Sequence, residues 1–176
     1  SAGVAALLSG VARLIQESSR VVFSWTHALW MLVIFEFQIN MWLKAWSYHS
    51  TYSLAPASVL LPMMMAVLVY LSAALVIPQV PPTGEIDLPA FHRGEGPKYI
   101  AAVAAIYVAA FTLEIALGEV DRSGHMVPIA PSTIIIRFVL IGACMAAIIW
   151  RRSWVPLAVG AFQLVMNTIY LFQLLG

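Results

Sequence analysis

The chain has 176 residues, 62% of them hydrophobic and 10% charged, with a mean hydropathy of +0.91 and a formal net charge of +1. Soluble domains are about half apolar and about a quarter charged, so this composition excludes an ordinary soluble domain and implies an integral membrane protein. Once spans of about 20 residues are set aside, little length remains for a separate soluble domain. The basic residues stand singly or in small groups, without the basic stripe that nucleic acid requires.

After Ser1 comes "AGVAALLSGVARLIQ", which lacks the basic n-region and cleavage site of a signal peptide. It is read as a short interfacial helix or, because Ser1 is not a methionine, as the tail of a truncated sixth span. Trp25 and Trp46 then bracket a first span. Their separation corresponds to about 31 Å of helix, the thickness of a hydrocarbon core, and tryptophan favours the headgroup level. A second span runs from Leu54 to Ile77, with Pro62 predicting a kink. The proline-, glycine- and charge-rich stretch "PQVPPTGEIDLPAFHRGEGPK" predicts a polar loop over residues 79–97.

A third span covers Tyr99 to Leu117, with Ala101, Ala105 and Ala109 forming a small-residue line suited to close helix approach. A turn, "GEVDRSGHMVPIAPS", leads to a fourth span, Thr133 to Trp150, with Gly142 and Ala146 at four-residue spacing. A fifth runs from Trp154 to Leu175. The predicted fold is therefore all-α: one polytopic transmembrane helical bundle over residues 1–176, with five spans and a short N-terminal helix. Threading gathers Arg13, Arg20, Arg93, Lys98, Arg151 and Arg152 on one side and leaves Lys44 and Arg122 near the other. The positive-inside rule then makes the 79–97 loop cytoplasmic and places Gly176 in the periplasm.

Polar residues inside such spans are costly and call for partners. At about 100° per residue, Glu36 and Asn40 share one face of the first span with Lys44 drifting round it, while His27 and Gln38 share nearly the opposite face. In the fifth span Gln163, Asn167 and Tyr170 form a stripe, Asn167 at the depth of Glu36. Glu36, Asn40, Gln163, Asn167 and Tyr170 thus form a predicted intramembrane cluster, either fastening helices or marking a path for protons or a polar solute. Glu114 and Arg137 sit at matching depths on consecutive antiparallel helices, which predicts an ion pair; the alternative is that both reach the headgroups separately.

Of the four histidines only His27 lies inside a span, with His49, His92 and His125 in or beside loops, so paired axial ligation of haem is not expected. His27 alone remains a candidate ligand for a pigment, haem or quinone, against a capping or interfacial role. No catalytic constellation is present, and His92, Glu85, Asp87 and Glu95 match no metal-ligand spacing. Cys144 is read as a small buried hydrophobe, and Met63, Met64 and Met65 as soft packing beside Pro62.

The stretch "WTHALWMLVIFEFQINMWLKAW", followed by "VYLSAALVIP" and "DLPAF", resembles a loosely defined set of uncharacterised bacterial inner-membrane proteins. In these a helix bearing tryptophan and histidine precedes a tyrosine-containing helix ending in proline, then an acidic loop. The resemblance covers about half the chain, and it implies the bacterial inner membrane and one further helix ahead of "SGVARLIQ". It implies no activity. The leading expectation is a small structural or interaction subunit, embedded in lipid against other membrane proteins or further copies of itself. A proton or polar-solute transporter using Glu36 and Asn167, or a cofactor-binding subunit using His27, are the competitors.

Overall fold

The structure is a computed structural model describing residues 2–47, 56–120, 126–150, 152 and 154–175. His49, Arg122, His125, Arg151 and Gly176, which entered the sequence analysis, lie outside the described residues. The fold is all-α: α1 (Ala2–Gln16), α2 (Trp25–Ser47), α3 (Pro56–Val76), α4 (Leu88–Leu117), α5 (Pro131–Ile149) and α6 (Trp154–Leu175). Among the described residues, segments of three helices are long and apolar enough to cross a membrane: Leu88–Ala116, Pro131–Ile149 and Trp154–Phe172. The polar groups of α2 dilute its apolar character, although its 23 residues match a span in length. Trp25 and Trp46, at its ends, are both exposed.

Local signals explain where the helices start. Ser24 begins α2, its Oγ accepting from the backbone N–H of His27 at 3.3 Å, as an N-cap serine does. Asp87 caps α4, Oδ1 accepting from Ala90 N at 2.7 Å, with Pro89 in the first turn where no donor is missed. This start corrects the expected 79–97 loop: the chain is helical from Leu88, straight through Gly94, Gly96 and Pro97. The density of glycine and proline resembles a loop, but the cap fixes the first turn. An ion pair from Lys98 Nζ to Glu95 at 2.6 Å supports the next one.

The shortened loop is fastened to the α1–α2 connection. Two-residue strands β1 (Val21–Val22) and β2 (Ile86–Asp87) pair in parallel, Val21 opposite Ile86. Arg20 reinforces them, donating from Nε to Gly84 O (2.8 Å), from Nη2 to Pro81 O (3.0 Å) and from Nη1 to Glu17 (3.0 Å). At the opposite end of α4, β3 (Glu119–Val120) pairs antiparallel with β4 (Met126–Val127).

Helix α4 is central, packed between α3 and α5 and touching α2; α2 packs on α6 and α3, and α1 covers α3 and α2. Tyr99, Val103, Ile106, Tyr107 and Leu113 of α4 meet Trp30, Val33, Ile34 and Phe37 of α2 in one core. The alanine line on α4 differs from expectation: Ala101 is exposed, and Ala102, Ala104 and Ala110 are the buried alanines. On α5 only Leu140, Cys144 and Ala147 are buried, whereas Gly142 points outward, with open space where a Cβ would stand. Close approach occurs instead on α1, where a Cβ at Gly10 would lie 2.6 Å from Ile77 Cδ1.

Candidate functional site: a polar seam between α2, α4, α5 and α6

Helical periodicity puts Glu36, Asn40 and Lys44 on one side of α2, and each meets a different group on the facing helices. Nearest the α2 N-terminus, Glu36 Oε1 accepts from Thr168 Oγ1 at 2.6 Å. One turn on, Asn40 Nδ2 donates to the backbone carbonyl of Asn167 at 3.4 Å. A further turn on, Lys44 Nζ is hydrogen-bonded to Glu114 of α4.

Glu114 is fully buried and is shared by two cations. Arg137 of α5 donates to it twice, Nε to Oε2 at 3.1 Å and Nη2 to Oε1 at 2.6 Å. The fork geometry of guanidinium and carboxylate makes this the strong, orientation-specific form of ion pair. Tyr170 of α6 completes the group, its ring centroid 5.7 Å from both Lys44 Nζ and the Arg137 guanidinium carbon. One acidic side chain thereby ties α2, α4 and α5 together, with α6 stacked against the cations.

Between these groups lies a second junction. Tyr107, seven residues before Glu114 and so on the same face of α4, places its hydroxyl against Gln163 Oε1 and, at 3.1 Å, Asn167 Oδ1. Gln163 Nε2 donates to Leu140 O (3.1 Å) and contacts Cys144 Sγ (3.3 Å), reaching α5. Cys144 is buried there and carries no disulfide. The two junctions flank a cavity of about 180 Å³ whose wall includes Asn40, Lys44, Tyr107, Arg137, Asn167 and Tyr170. Glu36 Oε2, Asn40 Oδ1 and Asn167 Nδ2 are buried without a hydrogen-bond partner.

The other stripe of α2 turns elsewhere. Gln38 Nε2 donates to Val69 O of α3 at 3.0 Å. His27 is wholly enclosed, edge-on to Phe91 (5.4 Å between ring centres) and Tyr99 (6.3 Å), with neither ring nitrogen hydrogen-bonded. It lines a groove of about 650 Å³ between α1 and α2. His92, which the sequence analysis placed in a loop, lies on α4 and bonds Tyr99 OH through Nδ1. Among the described residues no group of three or more histidine, cysteine, aspartate or glutamate side chains is arranged to hold a metal ion.

The structure therefore brings Glu114 to Arg137, Asn40 to Asn167, and Gln163 and Tyr170 into the same seam, while Glu36 meets Thr168 beside it. Sequence reasoning missed the pairing of Lys44 and the parts played by Tyr107 and Thr168. The depth of Lys44 and the seven-residue offset of Tyr107 from Glu114 were available signals. Thr168 gave none, because it lies about 100° round the helix from Asn167.

Fold and seam together define a helical membrane protein whose buried polar groups join helices side by side. No protein-family model, no curated protein and no solved structure matches the chain.

Proposed function

We propose that the protein is a small structural subunit of the bacterial inner membrane that packs against another membrane protein or a further copy of itself. On this reading five helices, α2 to α6, span the bilayer with α1 at its interface. The loop before α4 is cytoplasmic and the C-terminus periplasmic. At 30 residues α4 is about 45 Å long, longer than a hydrocarbon core of about 30 Å, so its charged first turns extend into the cytoplasmic headgroups. The single observation that carries the interaction role is the outer face of α5. Gly142 stands open there between exposed Phe138, Val139 and Met145, a position that none of the described residues fills. A small residue on an outer helix face lets another helix backbone approach closely where lipid offers no competing hydrophobic gain.

Cysteine in place of Gly142, in a Cys144→Ala background, tests the reading by oxidative crosslinking in native membranes. Crosslinking to a discrete polypeptide, or to a second copy, is expected. A site that reacts only with lipid-soluble reagents and never with protein would overturn the proposal. Transport is the alternative that the unpartnered Glu36 Oε2 favours. It predicts proton or solute flux in proteoliposomes that Glu36→Gln abolishes, whereas a packing role predicts that Glu36→Gln assembles normally with no such flux to lose.

A further inference from the structure

The cavity between α2 and α6 is lined mainly by Phe37, Met65, Ile106, Leu113, Leu140 and Met166, yet two amides stand in its wall with hydrogen-bonding capacity unused. Asn40 retains an acceptor, Oδ1, and Asn167 a donor, Nδ2. Both side chains are more than nine-tenths buried, at 7% and 5% exposure, so bulk water does not reach them freely. Asn40 must present its NH₂ to the Asn167 carbonyl, so its Oδ1 is the group left over, whereas the single proton of Tyr107 OH is shared between Gln163 and Asn167 and leaves the Asn167 amide free to take either orientation. A fixed, unused acceptor beside an amide of either orientation matches a group that donates and can also accept, such as a hydroxyl.

Size narrows the class further. A cavity of about 180 Å³ is close to the engineered apolar cavity of about 150 Å³ that holds benzene. Its aromatic walls, Phe37, Tyr107 and Tyr170, suit the face or edge of a ring. We propose that this cavity binds the head of a lipid-soluble aromatic alcohol, a phenol or quinol, its ring among the apolar side chains and its hydroxyl donating to Asn40 Oδ1 beside the Asn167 amide. The Glu114 ion group closes one end of the site, where Lys44, Arg137 and Tyr170 form part of its wall. This role is independent of packing on the outer face of α5.

The experiment uses the full chain in lipid nanodiscs with 4-fluorophenol as the probe, followed by fluorine NMR. Saturable binding is expected above the linear partitioning into lipid. Fluorobenzene, which has the ring without the hydroxyl, is expected to bind about tenfold more weakly, the equivalent of one hydrogen bond. Asn40→Leu should remove that preference while keeping ring binding, and Ala110→Phe, which fills the cavity, should remove both. Equal binding of the two probes by the unmodified protein would overturn the proposal, leaving a nonspecific apolar cavity. So would the absence of saturable binding in folded protein, leaving a cavity filled by water alone. Because the two-probe comparison is made on the unmodified protein, it stands even if Ala110→Phe fails to fold.

Discussion

Arg137 grips Glu114 through two nitrogens, Nε at 3.1 Å and Nη2 at 2.6 Å, while Lys44 holds the same carboxylate from another helix. The acid is thus held from two sides, and the three residues are not equivalent. Losing Glu114 leaves two cations facing each other in a buried site, whereas losing Arg137 leaves the acid still paired with Lys44. Removing one member of a buried pair costs about 3–5 kcal/mol, because the remaining charge is poorly solvated.

The first prediction is an order of effects. Glu114→Leu should destabilise the bundle most and Arg137→Leu less, and the double variant should be more stable than the sum of the two single losses implies. Denaturation in mixed detergent micelles measures all three. Strict additivity would show that the pair is not energetically coupled.

A second prediction concerns the tyrosine at the centre of the seam. Tyr107→Phe keeps the ring packed against Phe37, at 4.9 Å between centroids, but withdraws the hydroxyl from Gln163 and Asn167. Hydrogen bonds between membrane helices average about 0.6 kcal/mol and reach about 1.7. A loss within that range is expected, with unchanged helicity by circular dichroism. A loss several times larger would mean that the ring, too, had been displaced.

A sign change is expected at Gly10. Alanine there gains up to about 1 kcal/mol in helix propensity. Its Cβ, however, would stand 2.6–2.7 Å from Cδ1, Cγ1 and Cγ2 of Ile77, a β-branched side chain with little freedom to move aside. Overpacking of this kind costs about 1–3 kcal/mol. Gly10→Ala should therefore destabilise the native protein, yet be neutral or stabilising in an Ile77→Ala background. Thermal unfolding of the four proteins of this cycle decides it, and the same sign in both backgrounds would place the two residues apart.

The fourth prediction tests the clamp on the loop before α4. Arg20 donates to the carbonyls of Pro81 and Gly84, so Arg20→Met should release that loop while leaving the helices intact. Cleavage after Glu85 by a glutamate-specific protease should quicken severalfold in the solubilised variant. An unchanged rate would mean that the β1–β2 pairing holds the loop without Arg20.

The amino-acid sequence by itself determined the solvent and the class of fold. Apolar runs of helical length leave the backbone no stable alternative to a helix in lipid, because every N–H and C=O must be bonded within its own segment. The same one-dimensional information marked Glu36, Asn40, Glu114, Arg137, Gln163 and Asn167 as needing partners, since polar groups are rare and costly at such positions. It could not say which partner each one takes. That depends on the rotation of each helix about its axis and on which helices are neighbours, and both are set by packing between segments far apart in the chain. Hence Lys44 joins Glu114 across 70 positions, Glu36 finds Thr168 across 132, and the predicted loop over residues 79–97 yields at Leu88 to a helix that Asp87 caps. Only the tertiary structure decides, too, that Gly142 faces outward while Gly10 is a point of close contact, because spacing identifies a small residue but not the side from which its neighbour comes.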